Sequence, residues 1–479
     1  GLIVSHSPPP PSYFVFVTTA SSGERLYGHC LTIHDPMSST LVDTLQASYD
    51  ALGCASSALS SANITSTVMS PSSNTLTATS TPTSATATTT TTTATPAATS
   101  NAAPQLFASK CLCLVTKFPF LVQCHNFLTS LYQITMSIND IPIERYICNF
   151  INEVPLPPPG KAEVQYGILD KILIFTRPPL NQPILDVDLP FRRVFECLTP
   201  TTILTLFNCL LLEQKILMHS FQLSLLTDVA ELLQAFMYPM SWGHVYVPVL
   251  PSGLFDVIKA PMPFLLGTNS AWMDDAFHED VLNQVDDVVR LDIDTSTIVV
   301  PEWLNLPSLP SRERKKLEKQ LMEIAQPTYA NRGGGDDDMW KITTWEHYDS
   351  AFQFAARPCD IDSNDVLHED NLIVLRDLFF RFFVSLLRSY EKHIKRPNAA
   401  KDGSSKKRNV VTTTAKKNSQ QPWFDKESFL KEQSRYDRAF VSKFLDTQAC
   451  TNFINECMHE PSYDVVFFNE KIVEKKNRS

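Results

Sequence analysis

The sequence predicts an α/β fold: a mostly parallel sheet in the middle of the chain and additional helices toward the C-terminus. Three observations predict it. Short apolar strands alternate with helical-period stretches between residues 171 and 250, the pattern of parallel strands covered on both faces. Beyond residue 366 the text is helical, with a stripe at Leu372, Leu375, Phe379, Phe382, Phe383, Leu386 and Tyr390 that reads as core. Hydrophobic residues make up 43% of the 479, with 29 Phe among them, so a large core can be filled.

The elements are taken in order. Residues 13–17 and 25–33 are β-rich and flank a turn at 21–24. Residues 51–109 hold no charged side chain and carry six consecutive threonines at 88–93. Such text cannot bury a core, which predicts a disordered insertion. Residues 111–115 read as a strand. Residues 121–134 read as a helix with Leu121, His125, Leu128 and Leu131 on one face. The proline-rich joint at 155–160 marks a module boundary.

In the middle, 172–175 predicts a short buried strand of the parallel sheet, 199–213 a helix and 215–218 a strand. Thr227 is placed to cap the next helix, with Asp228 and Glu231 in its first turn. Residues 245–250 predict a strand whose Pro248 sets it at a sheet edge or ends it. A short helix at 251–259, a segment at 263–267 and a hairpin turning at Thr295 and Ser296 come next. A charged helix is predicted at 311–325, and one or two helices at 424–458. The resulting division is an upstream lobe at 1–150, a central lobe at 151–326, an acidic linker at 327–365 and a helical part at 366–460. The last contains a basic, disordered loop at 395–420.

Composition and motifs exclude several functions. A net charge of −10 opposes nucleic acid as a partner, because phosphate contacts need clustered Lys and Arg. The eleven cysteines are scattered, with no C-x-x-C, and predict reduced, buried thiols of a cytosolic protein. No phosphate-binding G-x-x-x-x-G-K-[ST], G-x-G-x-x-G, H-E-x-x-H or G-x-S-x-G occurs, so no cofactor is expected. The triplets at 278–280 and 368–370 both read His-Glu-Asp, but three consecutive residues do not converge on one ion. Asp274, Asp275, Glu279 and Asp280 lack the spacing of a calcium loop, so no metal is expected. No apolar run approaches the roughly 18 residues of a membrane span. The expected location is cytoplasmic.

Four linked stretches resemble the DENN domain family. Residues 210–217, Leu-Leu-Leu-Glu-Gln-Lys-Ile-Leu, resemble its helix-to-strand step. Residues 238–251, from Tyr238 through Trp242, His244 and Tyr246 to Pro251, resemble its central signature. Residues 260–267 and the hairpin at 286–295 are similar to the family's segments downstream of that signature. The stretches at 24–30, 112–120, 380–383 and 446–453 are similar to its flanking parts, and details of 238–251 and 260–267 resemble the connecdenn branch. Only about 24 residues precede the 24–30 stretch, which leaves room for few upstream strands.

The resemblance implies a longin-like N-terminal lobe beside the α/β C-terminal lobe. It also implies a guanine nucleotide exchange factor that grips the switch regions of a Rab small GTPase between two lobes, without covalent chemistry. A non-catalytic DENN-type scaffold, binding a small GTPase or trafficking partner, is the alternative. The candidate partner-contacting residues are Trp242, His244, Tyr246, Glu213 and Asp228.

Overall fold

The computed structural model describes residues 2–5, 8–20, 23–38, 40–44, 105–137, 141–177, 194–195, 197–273, 276–330, 366–396, 422–459 and 461–477. Most of the predicted insertion, Asp274 and Asp275, most of the acidic linker and most of the basic loop lie outside these residues. The chain divides into two compact units, residues 1–11 with 32–111 and residues 12–31 with 112–479.

Four upstream strands are formed: β1 (Leu2–Ser5), β2 (Ser12–Thr19), β3 (Arg25–Pro36) and β4 (Gln105–Thr116). Two strands therefore precede the 24–30 stretch. The predicted insertion ends earlier than expected, because Gln105 to Ser109 already belong to β4. In the first unit β1 runs antiparallel to the start of β4, from Leu2 opposite Ala108 to Ser5 opposite Gln105. Lys110 meets Asp35 at 2.5 Å there. Both side chains are largely exposed, so that pair contributes about 1 kcal/mol at most.

The second unit begins with β2, whose Tyr13, Val15 and Val17 alternate inward as a half-buried strand requires. Helix α1 (Leu121–Met136) buries Leu121, Cys124, Phe127, Leu128, Leu131 and Ile134, an apolar face at helical spacing. Tyr13 donates to the Leu121 carbonyl at 3.3 Å, and its hydroxyl lies 2.9 Å from His29 Nδ1. Burial holds His29 down at about 3, so the ring is neutral. Helix α2 (Ile143–Glu153) stacks Phe150 on Phe127 of α1 at 3.7 Å. Strands β5 (Gly160–Ile168) and β6 (Lys171–Arg177) then form a separate antiparallel pair. The strand expected at 172–175 thus does not join the parallel sheet. Leu173 and Phe175 are buried, while Ile172 and Ile174 point outward, 68% and 41% exposed.

Helix α3 (Pro200–Leu211) starts where Thr199 accepts a hydrogen bond from the Thr202 amide at 3.1 Å, with Pro200 fixing the first turn. Strand β7 (Lys215–Ser220) leads directly into α4 (Leu223–Phe236). The predicted cap at Thr227 is wrong. The helix begins five residues earlier, at Leu223, Gln222 provides no side-chain cap, and Thr227 sits within it, donating to the Val15 carbonyl. Strand β8 spans Val245–Val247 only, since Pro248 has no amide to offer a neighbour. Further along come a 3-10 segment (Ser252–Lys259), β9 (Phe264–Asn269), α5 (Ala276–Asn283), β10 (Val288–Asp292) and β11 (Thr297–Val299). The five-stranded sheet has the order β11-β10-β7-β9-β8. Its β10-β7, β7-β9 and β9-β8 pairs are parallel, and β10-β11 is the predicted hairpin. As its proline requires, β8 is an edge strand.

Helix α6 (Ser311–Ala330) runs five residues beyond its predicted end, into the expected linker. Helix α7 (Val366–Leu386) carries the aromatic stripe. Its Phe379 stacks on Phe236 of α4 at 3.9 Å and meets Phe207 of α3 edge-on at 4.7 Å, so the stripe is core from Leu375 onward. Short strands β12 (Ile394–Lys395) and β13 (Trp423–Phe424) pair. The C-terminal text folds into four helices where one or two were expected up to residue 458. They are α8 (Lys426–Glu432), α9 (Arg438–Leu445), α10 (Gln448–Met458) and α11 (Tyr463–Asn477).

Candidate functional site

The central signature, residues 238–251, packs between α4, β9 and the start of α10. Tyr246 of β8 is 4% exposed and donates to Glu231 Oε1 at 2.6 Å. From β3, Tyr27 reaches Glu231 Oε2 at 3.4 Å, and Arg25 donates to Gln234 at 3.2 Å while its guanidinium lies 4.6 Å over the Tyr246 ring. Glu231 is buried, 6% exposed. Burial raises its pKa, opposed by the hydrogen bonds from Tyr246 and Tyr27 and by the charge of Arg25. Burial, then Glu231 itself, pushes the Tyr246 hydroxyl well up, so it remains a donor.

A second cluster ties the signature to α10. Glu213 sits just past α3 with φ at 48°, a left-handed conformation that costs a non-glycine residue about 1 kcal/mol. Its carboxylate accepts from the Gln448 amide at 2.9 Å and the Ala449 amide at 2.8 Å. That places an anion on the open N–H groups and positive dipole end of α10. His244 Nε2 lies 3.1 Å from the same carboxylate, and Trp242 meets the His244 ring edge-on at 5.1 Å. The indole donates to the Val245 carbonyl at 3.2 Å.

The structure therefore places the five candidate residues in two groups and a remainder. Glu213, His244 and Trp242 form one cluster. Tyr246 joins the Glu231 cluster. Asp228 is buried on α4, the helix that carries Glu231. Trp242, Tyr246 and Asp228 are at most 6% exposed, and the Glu213 and His244 side chains 11% and 13%. These side chains hold the lobe together, with little surface left for a partner.

Sequence reasoning missed Glu231 as a functional group, although a glutamate on the apolar face of a helix signals a buried polar network. It also missed Asp294, just past the carboxyl end of β10. Asp294 accepts from Ser220 at 2.6 Å, the Phe221 amide at 2.9 Å and Ser270 at 3.0 Å, while His219 Nδ1 lies 3.0 Å from Ser270 Oγ. Burial raises the Asp294 pKa, and its hydrogen bonds pull the other way. The serine lies between the carboxylate and the imidazole, so this is not the relay that would activate a serine nucleophile. The cluster pins the loops at the carboxyl edge of the sheet, beside Phe221, which is 51% exposed.

Among the described residues no group of three or more His, Cys, Asp and Glu could hold a metal ion, and no helix is long and apolar enough to cross a membrane.

Fold and site together define an α/β lobe stapled to its C-terminal helices. Comparison with known families agrees in three places. The uDENN domain model matches residues 2–33, the DENN (AEX-3) domain model residues 107–296 and the dDENN domain model residues 424–471. The chain belongs to the DENN domain family. It is similar to the DENN domain and WD repeat-containing protein SCD1 of Arabidopsis thaliana, 27% identical over 314 residues. That match covers 64% of this chain and 24% of the relative, so the chain spans about a quarter of the relative's length.

Proposed function

We propose that this chain is a guanine nucleotide exchange factor that promotes GDP release from a Rab small GTPase in membrane trafficking. The observation that carries this reading is the three-part match in its expected order, upstream, central and downstream, because DENN domains generally bind Rab GTPases. The mechanism is differential binding without covalent chemistry. A protein that binds the nucleotide-free GTPase more tightly than the nucleotide-bound form weakens nucleotide binding by the same factor. The action is cytoplasmic, with peripheral association on endosomal or vesicle membranes.

The second reading, a non-catalytic scaffold, is favoured by one observation. Trp242 and Tyr246 of the signature and Asp228 of α4 are turned inward, so these side chains are not free to enter a bound GTPase and displace its nucleotide. Release of a fluorescent GDP analogue from a panel of purified Rabs separates the two. Exchange predicts acceleration of one or two Rabs by at least about tenfold, a differential binding of about 1.4 kcal/mol. Stable binding to a Rab with an unchanged release rate would establish the scaffold instead.

A further inference from the structure

Where α7 and α11 end, side chains from three distant segments line a half-open cavity of about 350 Å³. Ser385, Arg388, Ser389 and Lys392 line it from the end of α7 onward, Gln433 from the end of α8, and Lys476 from the last turn of α11. Among the described residues no carboxylate lines it, and Leu386 is its one apolar contributor. A cavity of this size lies within the range of small-ligand sites, about 300–1,000 Å³. Its lining offers cationic, hydroxyl and amide groups on aliphatic stems, beside Leu386.

Further positive charge surrounds it. Lys475 donates to the Ser385 hydroxyl. Its ammonium is held below the ordinary lysine range by burial first, then by Lys316, Arg388 and Arg381, with Glu313 opposing. Cations commonly gather at helix C-termini, where the dipole favours their charge. That effect raises a lysine's pKa, and Lys475 moves the other way, so burial and the like charges outweigh the helix ends. Acids are present on the rim. Lys476 lies 3.7 Å from Glu391, Arg381 pairs with Asp377 at 2.5 Å, and Glu432 is held low by Ser389 and His393, with a smaller contribution from Lys392. Arg388 has no ion pair among the described residues, and its exposed guanidinium opens into the cavity.

We infer that this cavity binds a multiply phosphorylated polyol, an inositol phosphate taken either free or as the headgroup of a phosphoinositide. Several cations on separate segments suit several phosphates better than one. The Gln433 amide at the rim suits a polyol hydroxyl. Among the described residues no aromatic side chain lines it, which disfavours a nucleotide, whose base would find nothing there to stack on.

The test uses the full chain and two probes. Inositol hexakisphosphate is titrated by calorimetry. Sedimentation is measured with phosphatidylcholine vesicles carrying a phosphatidylinositol bisphosphate, against phosphatidylserine vesicles of equal charge. Saturable binding to either inositol probe is expected. Arg388→Glu/Lys392→Glu should weaken it about tenfold to a hundredfold, the worth of one or two charge-assisted contacts. Both residues are exposed, and an unchanged melting temperature certifies the variant's fold. Lys117→Glu, a surface control outside the cavity, should leave binding intact. Capture of the soluble probe alone assigns a free inositol phosphate; capture of the bisphosphate vesicles over phosphatidylserine assigns the lipid. Equal loss in the Lys117 variant, equal affinity for ATP, or no binding to either probe overturns the inference.

Discussion

At the residue scale, the Glu231 carboxyl is the clearest test of how buried polarity is managed. It is enclosed by Tyr246, Tyr27 and the charge of Arg25, and burial raises its pKa. A carboxyl whose folded pKa exceeds its unfolded value gives stability that is complete below the unfolded pKa and lost as pH rises through the folded one. The ordinary value, which holds on the unfolded side, is 4.5. Glu231→Gln should therefore flatten the fall in stability above about pH 4.5 while keeping an acceptor for Tyr246. Glu231→Ala should lower stability by about 2–4 kcal/mol at every pH, because two tyrosine hydroxyls lose their acceptor. Thermal melts from pH 4 to pH 8 check both. An unchanged pH profile in the Gln variant would mean that Glu231 does not titrate over this range. His29 works in the opposite sense. Its pKa is depressed to about 3, so its contribution is present above the ordinary value of 6.5 and is lost as pH falls below it.

At the element scale, the sequence located elements better than it explained what their polar residues do. The α3, β7 and β10-β11 stretches were legible because apolar period and turn residues agree there. The start of α4 was not. Thr227, Asp228 and Glu231 imitate a capped first turn, yet Leu223, Leu225 and Leu226 already belong to the helix, and Thr227 is spent on β2. Four apolar residues in a row at 172–175 imitate a strand buried on both faces, whereas β6 is a hairpin strand with one face open. The signature residues looked like partner contacts because polar and aromatic groups cluster at interfaces. For Glu213 the interface is internal. Glu213→Ala should cost about 1–2 kcal/mol through loss of the anion at the α10 N-terminus. Hydrogen exchange should quicken at Gln448 and Ala449 and stay unchanged in α4. Uniform quickening across both helices would refute so local a role. Gly267 in β9 is constrained by space alone, since a Cβ there would stand 2.0 Å from the Pro248 carbonyl oxygen. Gly267→Ala should destabilise by about 1–3 kcal/mol, and Gly253→Ala, with nothing within 4 Å, by far less in the same denaturant titration.

At the scale of the whole molecule, the downstream helices complete the core of the second unit. Phe380 of α7 packs against Phe467 and Phe468 of α11, and Phe383 stacks with Phe444 of α9. Tyr390 donates to Asn469 at 2.6 Å, and Tyr238 of the central signature donates to Asp464 of α11 at 3.2 Å. Beside that bond Arg376 is buried and lowered to about 10 by desolvation, opposed by the nearby Tyr238 and Asp464. A chain ending at residue 423 would uncover the fully buried Phe380, Phe383 and Tyr390. It would also remove the Asp464 carboxylate that accepts from the Tyr238 hydroxyl, a loss of about 1 kcal/mol. The exposed aromatic patch is the larger loss, set against the roughly 5–15 kcal/mol on which a typical domain stands. Residues 1–423 should therefore be recovered aggregated or bound to a hydrophobic dye, while 1–479 is monodisperse. Supplying 424–479 as a separate peptide during refolding should restore solubility. A soluble, cooperatively melting 1–423 would show instead that the α/β lobe stands alone and that the downstream helices are an appended module.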